Sequence, residues 1–314
     1  MKIAIIGTGG VGGYFGANLV RAGYDVTFLA RGENLKALQN KGLKVKSILG
    51  DFEVKDFKST DKIADLENPD LIMVCVKAWQ IKEIRDELKK IVTEGCLVLP
   101  LQNGVLAAEE LSVSIDQKNI LGGLCRIISK IESPGVIHHL GVTPSIIFGD
   151  LHGVPTARLI EIQEAFNQAD IKSRIAEDIQ SEIWKKFMTI CVSGLLAVTN
   201  TTYGELRELK ETRKLMIDLI TEIYGLSQKI GISIKAGFIE QTVSFIDTFP
   251  YGSDASLTRD VWEGKPSEIE YQNGTVVRLG EKHGIATPIN RFVYDCILPS
   301  ELKARKISLK APFN

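Results

Sequence analysis

The sequence predicts an α/β chain in two parts: a doubly wound parallel sheet over residues 1–175 and an all-helical segment over 176–314. Three observations predict it. Short, nearly continuous apolar runs alternate with helix-patterned segments up to about residue 175, as parallel strands covered on both faces require. Beyond about Glu177 the strand signal stops and only helical periodicity remains. The length, 314 residues, exceeds the usual size of one hydrophobic core.

In chain order, Lys2–Ile6 is the first apolar run, and Gly13–Ala22 carries helical spacing behind it. Asp25–Ala30, Leu71–Val76, Cys96–Pro100 and Ile120–Cys125 supply further strands, with Trp79–Val92 helical between two of them. Strands alternating with helices imply a doubly wound sheet. Val136–His139 and Ser145–Phe148 read as a later antiparallel pair, and Ile171–Ile175 as the last strand. Glu177–Val198, Leu206–Gly231, Ala236–Phe249, Tyr271–His283 and Ile289–Ala304 read as helices, and "FPYGSDASLTRDVWEGKPSE" is their longest interruption.

Charge and cysteine usage exclude several classes. The 38 basic and 39 acidic residues leave a net charge of −1, so no broad positive field is offered to nucleic acid or to a membrane surface. Cys75, Cys96, Cys125, Cys191 and Cys296 are scattered and form no C-x-x-C pair, which fits a reduced cytoplasmic chain. The apolar run after Lys2 is cut at Gly7, too early for a signal peptide, and no run approaches the ~18 apolar residues of a membrane span. His138 and His139 are adjacent on a strand and point to opposite faces, so no metal is expected there. Cys191 reads as a small buried side chain, and Trp184 and Phe187 as packing residues.

The first chemistry-bearing motif is Gly7-Thr8-Gly9-Gly10-Val11-Gly12. It directly follows a strand and opens a helix that leads to a second strand, a β-α-β context. Gly7 permits the tight turn, Gly9 lets a pyrophosphate approach the backbone, and Gly12 lets helix and strand pack closely. Unpaired N–H groups and the positive helix end then face the anion. A dinucleotide is expected at residues 7–12, in a Rossmann-type domain. The second strand ends in Ala30-Arg31 where an NAD-binding unit carries a carboxylate. A guanidinium grips a 2′-phosphate, so NADP is favoured; the competing reading makes Arg31 a solvated residue beside Glu33. "VKAWQ" places Lys77 and "LQNG" places Gln102 and Asn103 at other strand ends, where ligands bind in open α/β sheets. The alternative there is a snorkelling lysine and a turn-forming Asn-Gly.

Together with "SPGVIHH", "IWKKF", "SLTRDVWEGKPSEIEYQNG" and "GIATPIN", these motifs run almost end to end in an order that resembles the ketopantoate reductases (2-dehydropantoate 2-reductases). The resemblance implies an NADPH-dependent oxidoreductase of pantothenate biosynthesis, with a Rossmann domain, a helical domain and an active site in the cleft between them. It implies that Lys186 is the catalytic lysine, donating a proton to the carbonyl oxygen as hydride reaches the carbon. By pattern alone Lys185 and Lys186 would read as an exposed helix face. The resemblance further implies Ser256 as a substrate-binding serine and Glu268 as an active-site glutamate touching cofactor and catalytic lysine. It makes Asn103 a contact of cofactor and substrate, and Lys77 a neighbour of the cofactor. Their alternative readings are a helix N-cap for Ser256 and a first-turn glutamate for Glu268.

The chain departs from the family where asparagines are expected four and eight residues after the lysine: here stand Ile190 and Gly194. A third expected asparagine is Tyr203, with Asn200 as a nearby partial substitute. Ile190 and Gly194 are therefore taken as substrate-pocket positions, and tight selectivity for a polar substrate is questioned, since lost hydrogen bonds are what such sites discriminate by. The expected partner is a small 2-oxo acid, most simply 2-dehydropantoate; a homodimer is compatible. The alternatives are a reductase of a less polar 2-oxo acid or ketone, and a non-catalytic NADP-binding regulator.

Overall fold

The computed structural model describes residues 1–154 and 156–308. The chain divides into two units: Met1–Gln102 with Leu106–Glu182, and Asn103–Val105 with Ile183–Asn314.

In the first unit, β1 (Lys2–Ile6), α1 (Gly10–Arg21), β2 (Asp25–Leu29), α2 (Gly32–Lys41), β3 (Leu43–Ser47), β4 (Phe52–Val54) and β5 (Lys58–Thr60) come first. Then follow β6 (Leu71–Val74), α3 (Ile81–Lys89), β7 (Leu97–Pro100), α4 (Ala107–Ser112), β8 (Leu121–Ser133), β9 (Val136–Asp150), α5 (Ala157–Gln168) and β10 (Lys172–Ile175). The apolar runs become strands of one parallel sheet in the order β5-β2-β1-β6-β7. Registers such as Ile5 opposite Phe28 on one side and Met73 on the other bury β1 on both edges and both faces. The chain turns outward from β1 through β2 and later returns to β6 on the other side, so the order reverses beside β1. Ligands of such sheets bind at the carboxyl ends of the strands at that reversal, and the glycine loop leaves β1 there.

A second sheet, β10-β9-β3-β4 with β8 along β9, corrects one expectation. Val136–His139 and Ser145–Phe148 are not an antiparallel pair but two parts of the single strand β9. Its antiparallel partner is β8, while β3 and β10 pair with it in parallel. Val142, at φ 63°, lies midway in that strand, and residues 140–144, between the two apolar parts, carry the strand on rather than reversing it. His138 is half-exposed beside Glu132, and His139 is buried, donating to or accepting from Ser47 Oγ at 2.8 Å. The two imidazoles thus occupy opposite faces of β9, and among the described residues no group of three or more His, Cys, Asp or Glu could hold a metal.

The second unit contains α7 (Val192–Thr199), α8 (Tyr203–Glu208), α9 (Lys210–Lys229), α10 (Phe238–Asp247), α11 (Ser256–Trp262), α12 (Asn273–His283) and α13 (Pro288–Ala304), preceded by α6 (Ile179–Ile190), which starts in the first unit. Its core gathers Trp184, Phe187, Leu196, Ile220, Ile223, Val276 and Val293 among others. Two expected helices are each divided: Glu177–Val198 at Cys191, and Leu206–Gly231 at Leu209, whose extended backbone separates α8 from α9. The long interruption after Phe249 itself contains α11, too short to impress a period on the sequence. Among the described residues no helix is long and apolar enough to cross a membrane.

Candidate active site

The glycine loop is built as its sequence requires. Gly7 sits at φ +98°, its N–H donates to Leu29 O at 3.2 Å, and a Cβ there would lie 2.8 Å from Val76 Cγ1. Gly12 begins the contact of α1 with the sheet: a Cβ would overlap the Gly7 carbonyl oxygen and come within 2.9 Å of Cys75 Cβ and Ile5 Cγ2. Gly10 is confined on another side, where a Cβ would meet Ser129 O at 2.5 Å. Gly9, the N-cap of α1, is different: nothing lies within 4 Å of an added Cβ. Space is kept in front of Gly9 while its neighbours are packed. Thr8 is buried and donates from Oγ1 to Leu29 O at 3.1 Å, and Val11 is half-buried. The first turn of α1 holds no acidic residue, so its positive end is not neutralised.

Arg31 is the exposed N-cap of α2, at the carboxyl end of β2. Glu33, the residue that would oppose a phosphate, is engaged by Lys36 at 2.7 Å. Sequence reasoning missed Asn34. Its Nδ2 donates to Thr8 O at 3.0 Å and its Oδ1 accepts from Gly135 N at 2.9 Å, tying the glycine loop to α2 and to the β8–β9 turn. Its only sequence signal is an amide placed early in a helix. Lys77 is exposed beyond β6, its backbone N–H donating to Gln80 Oε1 at 3.1 Å and its Nζ 5.8 Å from the Trp79 ring. Gln102 is buried at the end of β7; its Nε2 bridges Val74 O and Val76 O at 2.9 and 3.0 Å, fastening the end of β6 to that of β7.

In the second unit, Lys186 is half-buried on α6; Trp184 and Phe187, which flank it in sequence, are buried and their rings meet edge to face at 5.5 Å. Lys185 Nζ lies 5.8 Å from the Phe238 ring. Glu268, 5 % exposed, accepts at Oε2 from Asn103 Nδ2 at 3.0 Å. Residues 165 apart in sequence are thus joined. Gly104, at φ +104°, lets the chain pass Tyr271, whose carbonyl oxygen would be 2.8 Å from a Cβ there. Ser256 is exposed at the first residue of α11, and Ala255 is the N-cap.

Ile190 lies four residues after Lys186 on the same helix and is half-buried against the helical core. Gly194 does not continue that face, because α6 ends at Ile190 and α7 begins at Val192. Gly194 is turned inward, where a Cβ would overlap Asn273 Oδ1 and lie 2.8 Å from Val293 Cγ1. Tyr203 is buried against Phe249, and burial pushes its phenol well up from the ordinary value. Asn200 ends α7 in the left-handed conformation at φ 54°. Cys191 is buried, which raises its thiol pKa strongly.

A glycine loop at the switch point of a parallel sheet, followed by a helical unit, defines a Rossmann-type oxidoreductase with a helical second domain. The chain belongs to the ketopantoate reductase family: the model described as ketopantoate reductase PanE/ApbA matches residues 3–153, and that of the family's C-terminal region matches 178–301. Members are pyridine-nucleotide-dependent oxidoreductases acting on CH–OH groups. The 2-dehydropantoate 2-reductase of Nostoc sp. is 32% identical, over 93% of each chain. The crystal structure of 2-dehydropantoate 2-reductase from Geobacter metallireducens is 30% identical with a TM-score of 0.88, covering 96% of this chain and all of that one. D-Mandelate dehydrogenase, solved with NADH and anilino(oxo)acetate, shares the fold at 22% identity and a TM-score of 0.88, covering 98% of this chain and 100% of its own.

Proposed function

We propose that this chain uses NADPH to reduce a 2-oxo acid to a 2-hydroxy acid, with 2-dehydropantoate as the first substrate to assign. The observation that carries the reading is the part-buried Asn103–Glu268 hydrogen bond, which joins an amide and a carboxylate in the unit that also bears Lys186 and Ser256. When bound, the reduced nicotinamide supplies the hydride that the ketone carbon receives. Residues 7–12 would hold the dinucleotide's pyrophosphate, in the space kept before Gly9, and Arg31 would take the 2′-phosphate, with Glu33 already committed to Lys36. Lys186 gives its proton to the carbonyl oxygen as charge gathers there. Glu268 favours the ammonium form of that lysine, and Asn103 fixes the Glu268 carboxylate. Ser256, exposed at a helix start, receives the substrate carboxylate.

Ile190 supports a second reading, reduction of a less polar 2-oxo acid. An aliphatic side chain one turn beyond Lys186 offers no hydrogen bond to a substrate hydroxyl. NADPH oxidation with 2-dehydropantoate and a panel of aliphatic and aromatic 2-oxo acids separates the two. Lys186→Ala should lower kcat by about 10²–10⁴-fold on the best of them while NADPH affinity changes little. An unchanged kcat removes the lysine from the chemistry.

A further inference from the structure

The break between α6 and α7 is fastened by buried polar side chains that no part of the reduction uses directly. Ending α6 at Ile190 frees carbonyls that an unbroken helix would have paired. Ser193 Oγ lies 2.6 Å from Ile190 O and 2.9 Å from Gln272 Oε1. Asn273 Nδ2 donates to Cys191 O at 3.1 Å and to Asn290 Oδ1 at 3.0 Å. Thr258 Oγ1 donates to Ser193 O at 2.8 Å. Asn290 is held in turn, its Nδ2 donating to Leu219 O at 3.2 Å and to Glu222 Oε2 at 2.7 Å. Ser193, Thr258, Gln272, Asn273 and Asn290 are all buried, inside an otherwise apolar core.

Buried polar groups are costly unless paired, and although Asn273 Oδ1 has no hydrogen-bond partner among the described residues, a largely paired network admits few alternative arrangements. An unbroken helix over an apolar core would need none of these groups, so the network marks a direction the helix is made to take. The elements that supply it are those carrying the proposed site. Thr258 is two residues past Ser256 on α11. Gln272 and Asn273 follow Glu268 across the short 3-10 turn Ile269–Tyr271, where Gln272 N donates to Glu268 O at 3.0 Å. Ser193 stands on α7, the helix that follows that of Lys186 across the break. The three elements meet at one break, a turn beyond the lysine. Gly194 completes the joint: only a residue without a side chain leaves room for the Asn273 amide.

We propose that Ser193, Thr258 and Asn273 are positioning residues for the reduction, setting the course of the segment that carries Lys186 relative to those carrying Ser256 and Glu268. The proposal rests on the reading of Lys186 as the proton donor. Thr258→Val, which keeps the shape and removes the hydroxyl, and Ser193→Ala test it in the full chain; Thr258→Ser restores the donor. Because displacement of a reacting group by about 1 Å can cost about 10²-fold in rate, Thr258→Val and Ser193→Ala should each lower kcat by about tenfold or more. KM for the oxo acid and the NADPH Kd should stay within about twofold by the same reasoning, and Thr258→Ser should recover the rate. Amide hydrogen exchange over residues 183–195 should rise in Thr258→Val and return in Thr258→Ser, a readout independent of turnover. A lowered melting temperature with kcat and exchange unchanged would assign the network a merely structural role and overturn the proposal. Lys186→Ala is the control. If it keeps full activity, the reading of the lysine fails; if it is inactive while Thr258→Val is fully active, the positioning proposal alone fails.

Discussion

Gly9 and Gly12 belong to one motif, yet the structure assigns them separable consequences on mutation to alanine. At Gly12 the new methyl would overlap the Gly7 carbonyl oxygen and press at 2.9 Å on Ile5, inside β1, and on Cys75, directly after β6, neither of which can easily move. Overpacking of this kind costs about 1–3 kcal/mol, or about 2–12 °C in melting temperature for a unit of this size. At Gly9 the backbone has φ −86°, open to any residue, and the methyl meets nothing within 4 Å. Losing a favourable N-cap residue and restricting the unfolded chain oppose each other at about 0.5–1 kcal/mol each, so stability should hardly change. What the Gly9 methyl does occupy is the space through which a pyrophosphate would reach the helix end. Loss of one hydrogen bond to a charged oxygen, at about 1.5–3 kcal/mol, predicts NADPH binding weaker by about 10- to 150-fold. Thermal unfolding and titration of NADPH fluorescence measure the two quantities on the same samples. Gly9→Ala that binds NADPH like the wild type would refute the assignment of that space to the cofactor. Gly12→Ala with unchanged melting would refute the packing argument.

Arg31→Asp should weaken NADPH by about 10–100-fold against a smaller change for NADH, because a charge-assisted pair is replaced by repulsion; paired titrations with both nucleotides check it, and an equal loss for both would reject 2′-phosphate recognition. Gly194→Ala should destabilise by about 1–3 kcal/mol through its clash with Asn273, whereas Ile190→Asn should leave melting closer to wild type and alter the ranking of 2-oxo acids. If Gly194→Ala melts normally, the glycine is not required by the network. Asp247 takes two hydrogen bonds from Arg213, at 2.8 and 2.7 Å, which hold its carboxyl below the ordinary value near 3.8. The stabilisation is therefore complete above the unfolded-state pKa and lost as pH falls through the lower folded one. Asp247→Asn should lower the melting temperature at pH 7, with the gap to wild type closing in acid; a gap that widened in acid would contradict the sign.

The parallel sheet was legible because a strand buried on both faces must be apolar at nearly every position, as Ile3–Ile6 and Leu71–Val74 are. The short strands β3, β4 and β5 were not. Lys44, Lys46, Glu53 and Lys58 make them polar at every other residue or more, and three to five residues hold too little of a period. The break at Cys191 was invisible for a different reason. Val192, Leu195 and Leu196 keep an apolar helical spacing, and what interrupts the helix is hydrogen bonding to residues 65 to 82 positions away.

The same contrast separates the two parts of the site. The glycine loop is a local object: it is specified by the omission of side chains at fixed spacing, so position alone predicts the turn at Gly7 and the close packing at Gly12 and marks Gly9 as the position proposed for the pyrophosphate. The Lys186 region is specified by long-range partners. Reading positions four and eight beyond the lysine as one helix face presumes an unbroken helix, and that presumption holds for Ile190 but not for Gly194. The glycine there is accounted for by the Asn273 amide it must admit. Of the two departures, the structure leaves residue 190 on the lysine's helix face and turns residue 194 into the core. Substrate choice is therefore to be sought at the former, and the glycine's significance lies in how the helix is held.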